Sequence, residues 1–359
     1  MVERLGNDVI NKPNSAGLSI GIYHAGQTFF YNFGTTERGQ NERPAENSVY
    51  EIGSLTKTFV SLLLAKAVID KKILLEDDIR KYLDGDYPNL EYDHQPIRVI
   101  NLANTTSGLP DVLPAVPDEM TKAPSDSIPF IIERFYGALT EKDFFQSLRS
   151  VKLDTVPGFY PKHSNAAAQL LGYIMERIYK KPLYRVLQEY VLSPVNMKNT
   201  SFANPSNFKM LLKGYNAKGN QAPYLSQSYM QASGGLRSSA ADLMKYAAFF
   251  LDQKSPLAQL ALKKTIGIDA GTNKVVSIDP RDSIDETVYS ASLNWWQYHP
   301  AKGNERIWSD GGTPGFCSYI VFYPEVNLGI VLLSNKSDAA IFGELPDIAN
   351  RIFKVFSPG

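Results

Sequence analysis

A serine followed three residues later by a lysine is the first pattern in this chain with the capacity for covalent chemistry. Ser54 and Lys57 stand at the start of an apolar run, Thr56 to Ile69, which predicts a buried helix. Residues three apart share a helix face, so the lysine amine can contact the serine hydroxyl. The helix N-terminus favours developing negative charge, and apolar surroundings make a lysine easier to deprotonate. The pair predicts a serine nucleophile with a lysine base; the alternative is a helix cap beside a surface charge.

Two further serines compete for the role of nucleophile. Ser19 lies in Gly-Leu-Ser-Ile-Gly, which matches the G-x-S-x-G elbow, but that motif requires a strand, a sharp turn and then a helix. Here two β-rich runs surround a small glycine-containing turn, so Ser19 is interpreted as a strand residue of a hairpin. Ser206 and Lys209 repeat the S-x-x-K spacing in a polar stretch. The buried helix behind Ser54 favours that serine over both.

The composition argues against several functions. Among 359 residues, 37 Lys and Arg balance 37 Asp and Glu, and no basic run indicates a nucleic-acid or membrane-surface partner. No stretch reaches the ~18 apolar residues of a membrane-spanning helix. The single cysteine, Cys317, excludes an intramolecular disulfide and a cysteine-based zinc site. No metal-ligand spacing or phosphate loop is present, so we expect neither a metal nor a cofactor.

Strand-like segments occur at both ends of the chain, and helical periods dominate between them. This order predicts one antiparallel sheet built from both termini and flanked by helices, with a mainly helical inserted domain. The fold class is therefore α/β (α+β), with residues 1–72 and 285–359 in the sheet domain and residues 73–284 in the insertion. A cleft between the two is a common location for an active site.

An ordered set of motifs carries a resemblance to a known family. The motifs occupy residues 48–59, 74–83, 105–110, 157–158, 163–165, 193–200, 233–243 and 309–316. In this order they resemble the serine β-lactamase and penicillin-binding-protein superfamily, in its class C-type branch with esterases and D-aminopeptidases. The likeness runs from about residue 15 to the C-terminus, although Thr105 stands where the family's H-T-S-G-L-P motif has histidine. The resemblance implies a β-lactamase/transpeptidase-like fold.

The resemblance also implies acyl transfer through a covalent acyl-enzyme. In that scheme Ser54 attacks a carbonyl group and Lys57 assists its deprotonation. Asn165 holds Lys57 and the acyl side of the substrate. The backbone N–H groups of Ser54 and Gly312 form the oxyanion hole. The implied partner is a small-molecule ester, amide or peptide substrate.

The second family motif departs from the usual pattern at its first residue. The family offers a tyrosine as proton shuttle, whereas this chain has His163, two residues before Asn165. An imidazole changes protonation near neutral pH and is a competent general base, so we expect His163 to take part in catalysis. The alternative is that His163 only fills the space and hydrogen-bonds a neighbour.

The strand motif at residues 309–316 departs as well. Its first position usually carries Lys or His, but this chain has Ser309, then Asp310 and Gly311, and we expect these three to contact substrate. Adjacent strand residues face opposite sides, so one of Ser309 and Asp310 should face the cleft, and the family pattern favours Ser309. Without a cation there, uncharged or amine-bearing substrates are expected. Asp310 can instead point away or pair with Arg306. Cations that would alter this expectation by reaching the cleft are Arg237, Lys302 and Arg306.

Three functional hypotheses follow from these residues. The leading one is a serine hydrolase that forms an acyl-enzyme at Ser54 and hydrolyses a small ester or amide. The first alternative is a D-amino-acid or cell-wall-type peptidase, or a β-lactamase; the second is a family member that binds or senses a ligand without turnover. The first residues carry no signal-peptide pattern, so we expect a cytoplasmic protein, or a periplasmic or extracellular one whose signal was removed. The sequence does not indicate an oligomeric state.

Overall fold

The computed structural model describes residues 1–202, 210–225, 228–252, 254–276, 288–300 and 303–357. Its strands are β1 (Gly17–His24), β2 (Gln27–Gly34), β3 (Val49–Glu51), β4 (Glu91–Tyr92), β5 (Gln95–Pro96), β6 (Arg237–Ser239), β7 (Ile266–Asp269), β8 (Lys274–Val276), β9 (Val288–Ala291), β10 (Trp296–Tyr298), β11 (Arg306–Gly312), β12 (Cys317–Tyr323) and β13 (Leu328–Ser334). Its α-helices are α1 (Val2–Ile10), α2 (Thr56–Ile69), α3 (Val99–Ala103), α4 (Asp118–Thr121), α5 (Ile128–Gly137), α6 (Glu141–Leu148), α7 (Asn165–Tyr179), α8 (Leu183–Leu187), α9 (Gln231–Gly234), α10 (Ala240–Leu251), α11 (Pro256–Leu262) and α12 (Ala339–Phe356).

Nine of the described strands form one sheet in which every neighbouring pair is antiparallel. Their order is β2-β1-β13-β12-β11-β10-β9-β7-β8, so the N-terminal hairpin lies against the last strand of the chain. The register places Leu18 opposite Ser334, and Gly312 opposite Cys317. This sheet, assembled from both ends of the chain and covered by helices, confirms the fold class expected from the sequence.

The sheet extends further back along the chain than the expected boundary at residue 285. β7 and β8 continue it beyond β9, and Ile268 of β7 pairs with Tyr289 of β9. α10 also packs against β1 and β13, although it lies within residues 73–284. β9 pairs with β10 on one side and with β7 on the other. The division into residues 1–72 with 285–359, and 73–284, stays a prediction.

The central strands β12 and β13 are buried on both faces, which accounts for their unbroken apolar runs. Ile320 and Phe322 of β12 belong to a core that also contains α2 and α10. Tyr319 and Val321, which alternate with them, belong to a second core with α1 and α12. β11 is therefore hydrogen-bonded to a strand that packing holds rigidly from both sides.

Helix α2 has no solvent-facing side in its first turns. Eleven of its fourteen residues are buried. The Phe59 ring stacks on Tyr246 with ring centroids 4.0 Å apart, and the Tyr246 hydroxyl donates to Thr58 Oγ1 at 3.2 Å. Lys57, in the same turn, is only 7% exposed. The interpretation of this lysine as a surface charge is therefore wrong, because the helix that carries it is enclosed.

The competing serines are placed differently from Ser54. Ser19 lies in β1 and its hydroxyl donates to Asn32 Oδ1 at 2.7 Å and shares a 2.8 Å hydrogen bond with the Tyr50 hydroxyl. No helix follows it, since β1 turns into β2, so the strand interpretation of Ser19 is confirmed. Ser206 lies outside the described residues. Within the described residues, no helix combines the length and apolar character needed to cross a bilayer.

Candidate active site

Ser54 lies in a tight turn that leads directly into α2. The turn is a 3-10 helix over Gly53–Leu55, and Gly53 adopts a positive φ of 51°. Such a backbone conformation favours glycine, and a Cβ there would also lie 2.6 Å from the Gly312 carbonyl oxygen. The two backbones therefore approach each other closely only because no side chain intervenes.

The nucleophile turn is also anchored from the residues before it. The Ile52 carbonyl accepts a hydrogen bond from Ser318 Oγ at 2.8 Å, and the Ile52 N–H donates to the Leu236 carbonyl at 3.1 Å. A Cβ on Gly311 would overlap the Ile52 carbonyl oxygen and lie 2.7 Å from the Ser54 nitrogen. This packing sets the backbone of Ser54 against Gly311 and Gly312, the arrangement that an oxyanion hole from Ser54 and Gly312 requires.

Lys57 has three hydrogen-bond acceptors, and one of them is the hydroxyl of Ser54, the predicted nucleophile. Its Nζ lies 2.7 Å from Ser54 Oγ, 2.7 Å from Asn165 Oδ1 and 2.9 Å from the Ser233 carbonyl oxygen. Burial lowers the pKa of Lys57 to about 7, although the negative charges of Asp111 and Asp310 act in the opposite direction. Near neutral pH a large fraction of this amine is therefore uncharged and able to accept the Ser54 proton.

Asn165 is positioned by the start of α7. Ser164 caps that helix: its hydroxyl accepts from the Ala167 N–H at 2.9 Å and donates to the Pro110 carbonyl at 2.7 Å. Asn165 is then the first helical residue, with Oδ1 toward Lys57 and Nδ2 3.3 Å from Asp111 Oδ1. Because Lys57 donates to its oxygen and Asp111 accepts from its nitrogen, the orientation of the Asn165 amide is defined.

His163 is paired with a carboxylate that the sequence analysis did not identify. Its Nδ1 lies 2.7 Å from Asp111 Oδ1. Burial would raise the pKa of Asp111, but the His163 hydrogen bond and charge, the Asn165 N–H and Lys57 together lower it. A carboxylate at Nδ1 holds the proton there and leaves Nε2 as the acceptor in the neutral ring. The feature of the sequence that could have indicated Asp111 is its position directly after the Thr-Ser-Gly-Leu-Pro motif.

Both Ser309 and Asp310 line the cavity at Ser54, contrary to the expectation that only Ser309 would do so. The reason is that the cleft runs along the edge of β11. β10 pairs with β11 only as far as Trp308, so no described strand covers this edge from Ser309 to Gly312. An edge admits side chains from both faces of a strand. Gly311 and Gly312 line the same cavity.

Asp310 is a carboxylate within this cavity and no described residue forms an ion pair with it. Burial raises its pKa, while Lys57 and His163 lower it. The alternative of an Asp310–Arg306 pair is not found, since the Arg306 guanidinium lies 4.3 Å from the Trp308 ring centroid instead. The cavity measures about 290 Å³, and Lys57 is the one Lys or Arg among the described residues that line it.

Neither Arg237 nor Arg306, the other described cations considered from the sequence, lines this cavity. Arg237 lies in β6 and forms a buried ion pair with Glu51 at 3.3 Å. Lys302 lies outside the described residues.

One group of side chains within the described ranges could hold a metal ion. It consists of His299, Glu305 and Glu325, whose ligand atoms lie within 4.8 Å of one another. Lys264 already pairs with Glu305 at 3.1 Å, and none of these residues lines the cavity.

Known proteins resemble this chain over most of its length. The chain is 26% identical over 356 residues to the D-alanyl-D-alanine-carboxypeptidase/endopeptidase AmpH of Escherichia coli K12, covering 98% of this chain and 87% of that protein. It is 24% identical to a beta-lactamase of Pseudomonas fluorescens, covering 92% and 91% of the two chains. The solved structure of a beta-lactamase/D-alanine carboxypeptidase from Yersinia pestis superimposes with a TM-score of 0.79 at 24% identity, covering 99% and 98%.

A serine hydroxyl beside a buried lysine, in a cleft between an antiparallel sheet and helices, is an arrangement that suits a serine hydrolase. The model of the family described as Beta-lactamase matches residues 6–349, and the chain belongs to that family. The resemblance drawn from the ordered motifs is confirmed, as is the assignment of the chain as an enzyme of the serine-hydrolase class.

The pH dependence of turnover tests the electrostatics around Lys57. An unprotonated Lys57 is needed to accept the Ser54 proton, so kcat/KM for a neutral ester should rise with pH through about 7. Asp310 favours the charged ammonium, and its removal in Asp310→Asn should lower the Lys57 pKa and move this rise to lower pH. The measurement is a pH–rate profile of kcat/KM, with Asp347→Asn on the surface of α12 as the matched control. A rise that stays in place or moves to higher pH would contradict the assignment.

Proposed function

We propose that this protein forms an acyl-enzyme at Ser54 and hydrolyses a small ester or amide that is uncharged or carries an amine. The observation that carries the proposal is the buried Lys57 amine, 2.7 Å from Ser54 Oγ, with a pKa lowered to about 7. A hydroxyl in contact with a base that is uncharged at working pH is the requirement for nucleophilic attack.

The first step is attack of Ser54 Oγ on the substrate carbonyl carbon. The new C–O bond forms as the hydroxyl proton passes to Lys57 Nζ, and the carbonyl electron pair moves onto its oxygen. The N–H groups of Ser54 and Gly312 donate to this oxyanion, and the dipole at the start of α2 supports the same charge. Asn165 keeps the Lys57 amine directed at Ser54 and is available to the acyl side of the substrate.

The second step expels the leaving group and needs a proton at its oxygen or nitrogen. In this step the proton on Lys57 Nζ passes to His163 Nε2, which donates it to the leaving atom as the tetrahedral C–O or C–N bond breaks and the carbonyl re-forms, so Lys57 is uncharged again. Asp111 keeps the other proton on Nδ1 and stabilises the imidazolium that forms in between. In deacylation a water attacks the acyl carbon and gives a proton to His163 Nε2. That proton returns through Lys57 to Ser54 Oγ as the bond between Oγ and the acyl carbon breaks, which releases the acid and restores the free serine.

The charges of the site support the choice of substrate. Asp310 lines the cavity, Asp111 lies behind His163, and the position that carries a cation in the family is Ser309. A substrate carboxylate 4–6 Å from a carboxylate would meet a repulsion of about 3 kcal/mol at an effective dielectric near 20. An ammonium group in the same place would gain a similar attraction.

Turnover of a β-lactam or a D-alanyl peptide is the second candidate. It is favoured by the names of the relatives, a D-alanyl-D-alanine-carboxypeptidase/endopeptidase and several beta-lactamases. Both substrate classes use the same acyl-enzyme chemistry at Ser54. These substrates carry a carboxylate, whereas those of the first candidate are uncharged or carry an amine. Activity on neutral and anionic substrates therefore distinguishes the two candidates. A family member that binds a ligand without turnover would have an unreactive Ser54, so covalent labelling of Ser54 distinguishes it from both enzymes.

Replacing the nucleophile tests the core of the proposal. Ser54→Ala should abolish covalent labelling by a fluorophosphonate probe and reduce ester turnover to background, because no other hydroxyl contacts Lys57 among its described partners. Ser19→Ala is the matched control and should keep both activities. Labelling measured by mass spectrometry, together with ester hydrolysis, checks the outcome. An unlabelled wild-type protein would support a binding protein, and a label lost only in Ser19→Ala would overturn the assignment.

Removing the imidazole tests the proton relay. His163→Phe should lower kcat about 10²- to 10⁴-fold, the usual contribution of a positioned general acid–base group. Asp111→Asn keeps an acceptor at Nδ1 but loses the charge that stabilises the imidazolium, so a smaller loss is expected. The measurement is kcat over the neutral pH range for all three proteins. Near-full turnover and an unchanged pH profile in His163→Phe would make this residue structural.

A substitution in the strand motif should change the enzyme's preference for substrate charge. Wild type should prefer a neutral short-chain nitrophenyl ester to the anionic β-lactam nitrocefin in kcat/KM. Ser309→Lys adds the missing cation and should shift this preference toward nitrocefin by tenfold or more, since 1.4 kcal/mol corresponds to about tenfold. Ser150→Lys, which adds the same charge at an exposed position, is the control. A wild-type preference for nitrocefin, or no shift in the Ser309 variant, would favour the second candidate.

A further inference from the structure

We propose that a second cavity, beside His163, binds the leaving group of the substrate and selects a bulky aromatic group there. This inference rests on the proposed function, because it assigns one side of the substrate to one side of the catalytic serine. The cavity measures about 440 Å³, within the usual range of roughly 300–1,000 Å³ for small-molecule sites. Its wall is formed largely by apolar and aromatic side chains.

The wall belongs to the sheet and is ordered by strand register. Ile268 of β7 is directly opposite Tyr289 of β9, and Trp296 of β10 is directly opposite Trp308 of β11. Trp296 is also opposite Ala291, two residues from Tyr289. Because side chains alternate along a strand, all of these residues occupy one face of the sheet.

Ring contacts hold this wall in place. The Tyr289 and Trp308 rings meet edge to face with centroids 5.9 Å apart, and Arg306 lies 4.3 Å from the Trp308 centroid. Rigid aromatic surfaces lose little conformational freedom when a ligand ring stacks against them. The cavity is therefore prepared for a flat apolar group.

The second cavity adjoins the cavity at Ser54. Thr105, His163 and Trp296 line both. Asp111 occupies Nδ1 of His163, so the leaving atom must meet the other ring nitrogen. A substituent on the leaving atom then starts beside His163 and extends into the aromatic cavity.

Thr105 supplies an independent sign of a ligand contact at this junction. It is β-branched yet adopts a positive φ of 66°, a conformation that such residues rarely adopt. Its Oγ1 is buried without a hydrogen-bond partner among the described residues. Backbone strain of this kind concentrates where a protein holds a ligand.

Two isomeric esters distinguish the sides of the substrate. Naphthylmethyl acetate carries the aromatic group on the leaving alcohol, whereas methyl naphthylacetate carries it on the acyl group. They share one formula, so differences in overall hydrophobicity do not decide the result. We expect kcat/KM for naphthylmethyl acetate to exceed that of its isomer by about 10- to 100-fold, the range for burying a group of this kind.

A space-filling variant connects this preference to the cavity. Ala270 is an exposed turn residue that lines it, and Ala270→Trp should reduce the preference at least tenfold. Ala217→Trp, in another exposed turn, is the matched control and should not change it.

The outcomes separate this inference from the proposed function. Hydrolysis of both esters without a preference, or a preference insensitive to Ala270→Trp, overturns the inference while the function stands. A preference for methyl naphthylacetate that Ala270→Trp removes shows that the cavity takes the acyl group, which also overturns it. If neither ester reacts and a fluorophosphonate does not label Ser54, the proposed function fails and the inference fails with it.

Discussion

The burial of one amine is the constraint on which the rest of this site depends. Removing Lys57 from water lowers its pKa to about 7, a change that makes an ordinary ammonium group into a base. The amine is held at the serine by the Asn165 amide of α7 and by the Ser233 carbonyl of α9. Because these two contacts come from α7 and α9, both helices pack against the first turn of α2 and help to bury it. The packing that buries α2 therefore also lowers the pKa of Lys57.

The second element is the exposed edge of β11. Its pairing with β10 ends at Trp308, while its pairing with β12 continues to Gly312, so no strand of the described chain pairs with its other side over the residues that face Ser54. Glycine at positions 53 and 311 lets this edge reach the nucleophile turn. The same edge brings both Ser309 and Asp310 into the cleft. A strand that was paired on both sides would have admitted one of them and closed the site to a substrate.

The electrostatic character of the site comes from two departures from the family pattern. A histidine replaces the usual tyrosine and is matched by Asp111, so the substitution at one position is accompanied by a partner from a different segment. A serine replaces the usual cation, and the adjacent carboxylate has no ion-pair partner among the described residues. Together they give a cleft with more negative than positive groups. The aromatic wall beyond His163 adds an apolar region on one side of that cleft.

The sequence alone determined the order of the motifs and the fold class, and it predicted the nucleophile and the base. Ser54 and Lys57 were readable because helix geometry relates residues three apart, and the terminal strands because alternation and apolar runs are local properties. The Asp111–His163 pair was not readable, since its members are 52 residues apart and meet only when the start of α7 packs beside the loop after α3. The presence of both Ser309 and Asp310 in the cleft depended on where β10 stops pairing. The value of the Lys57 pKa depended on the packing of helices that are distant in sequence. Local geometry identifies which groups are present, but only tertiary packing decides which of them are desolvated and which charges they meet.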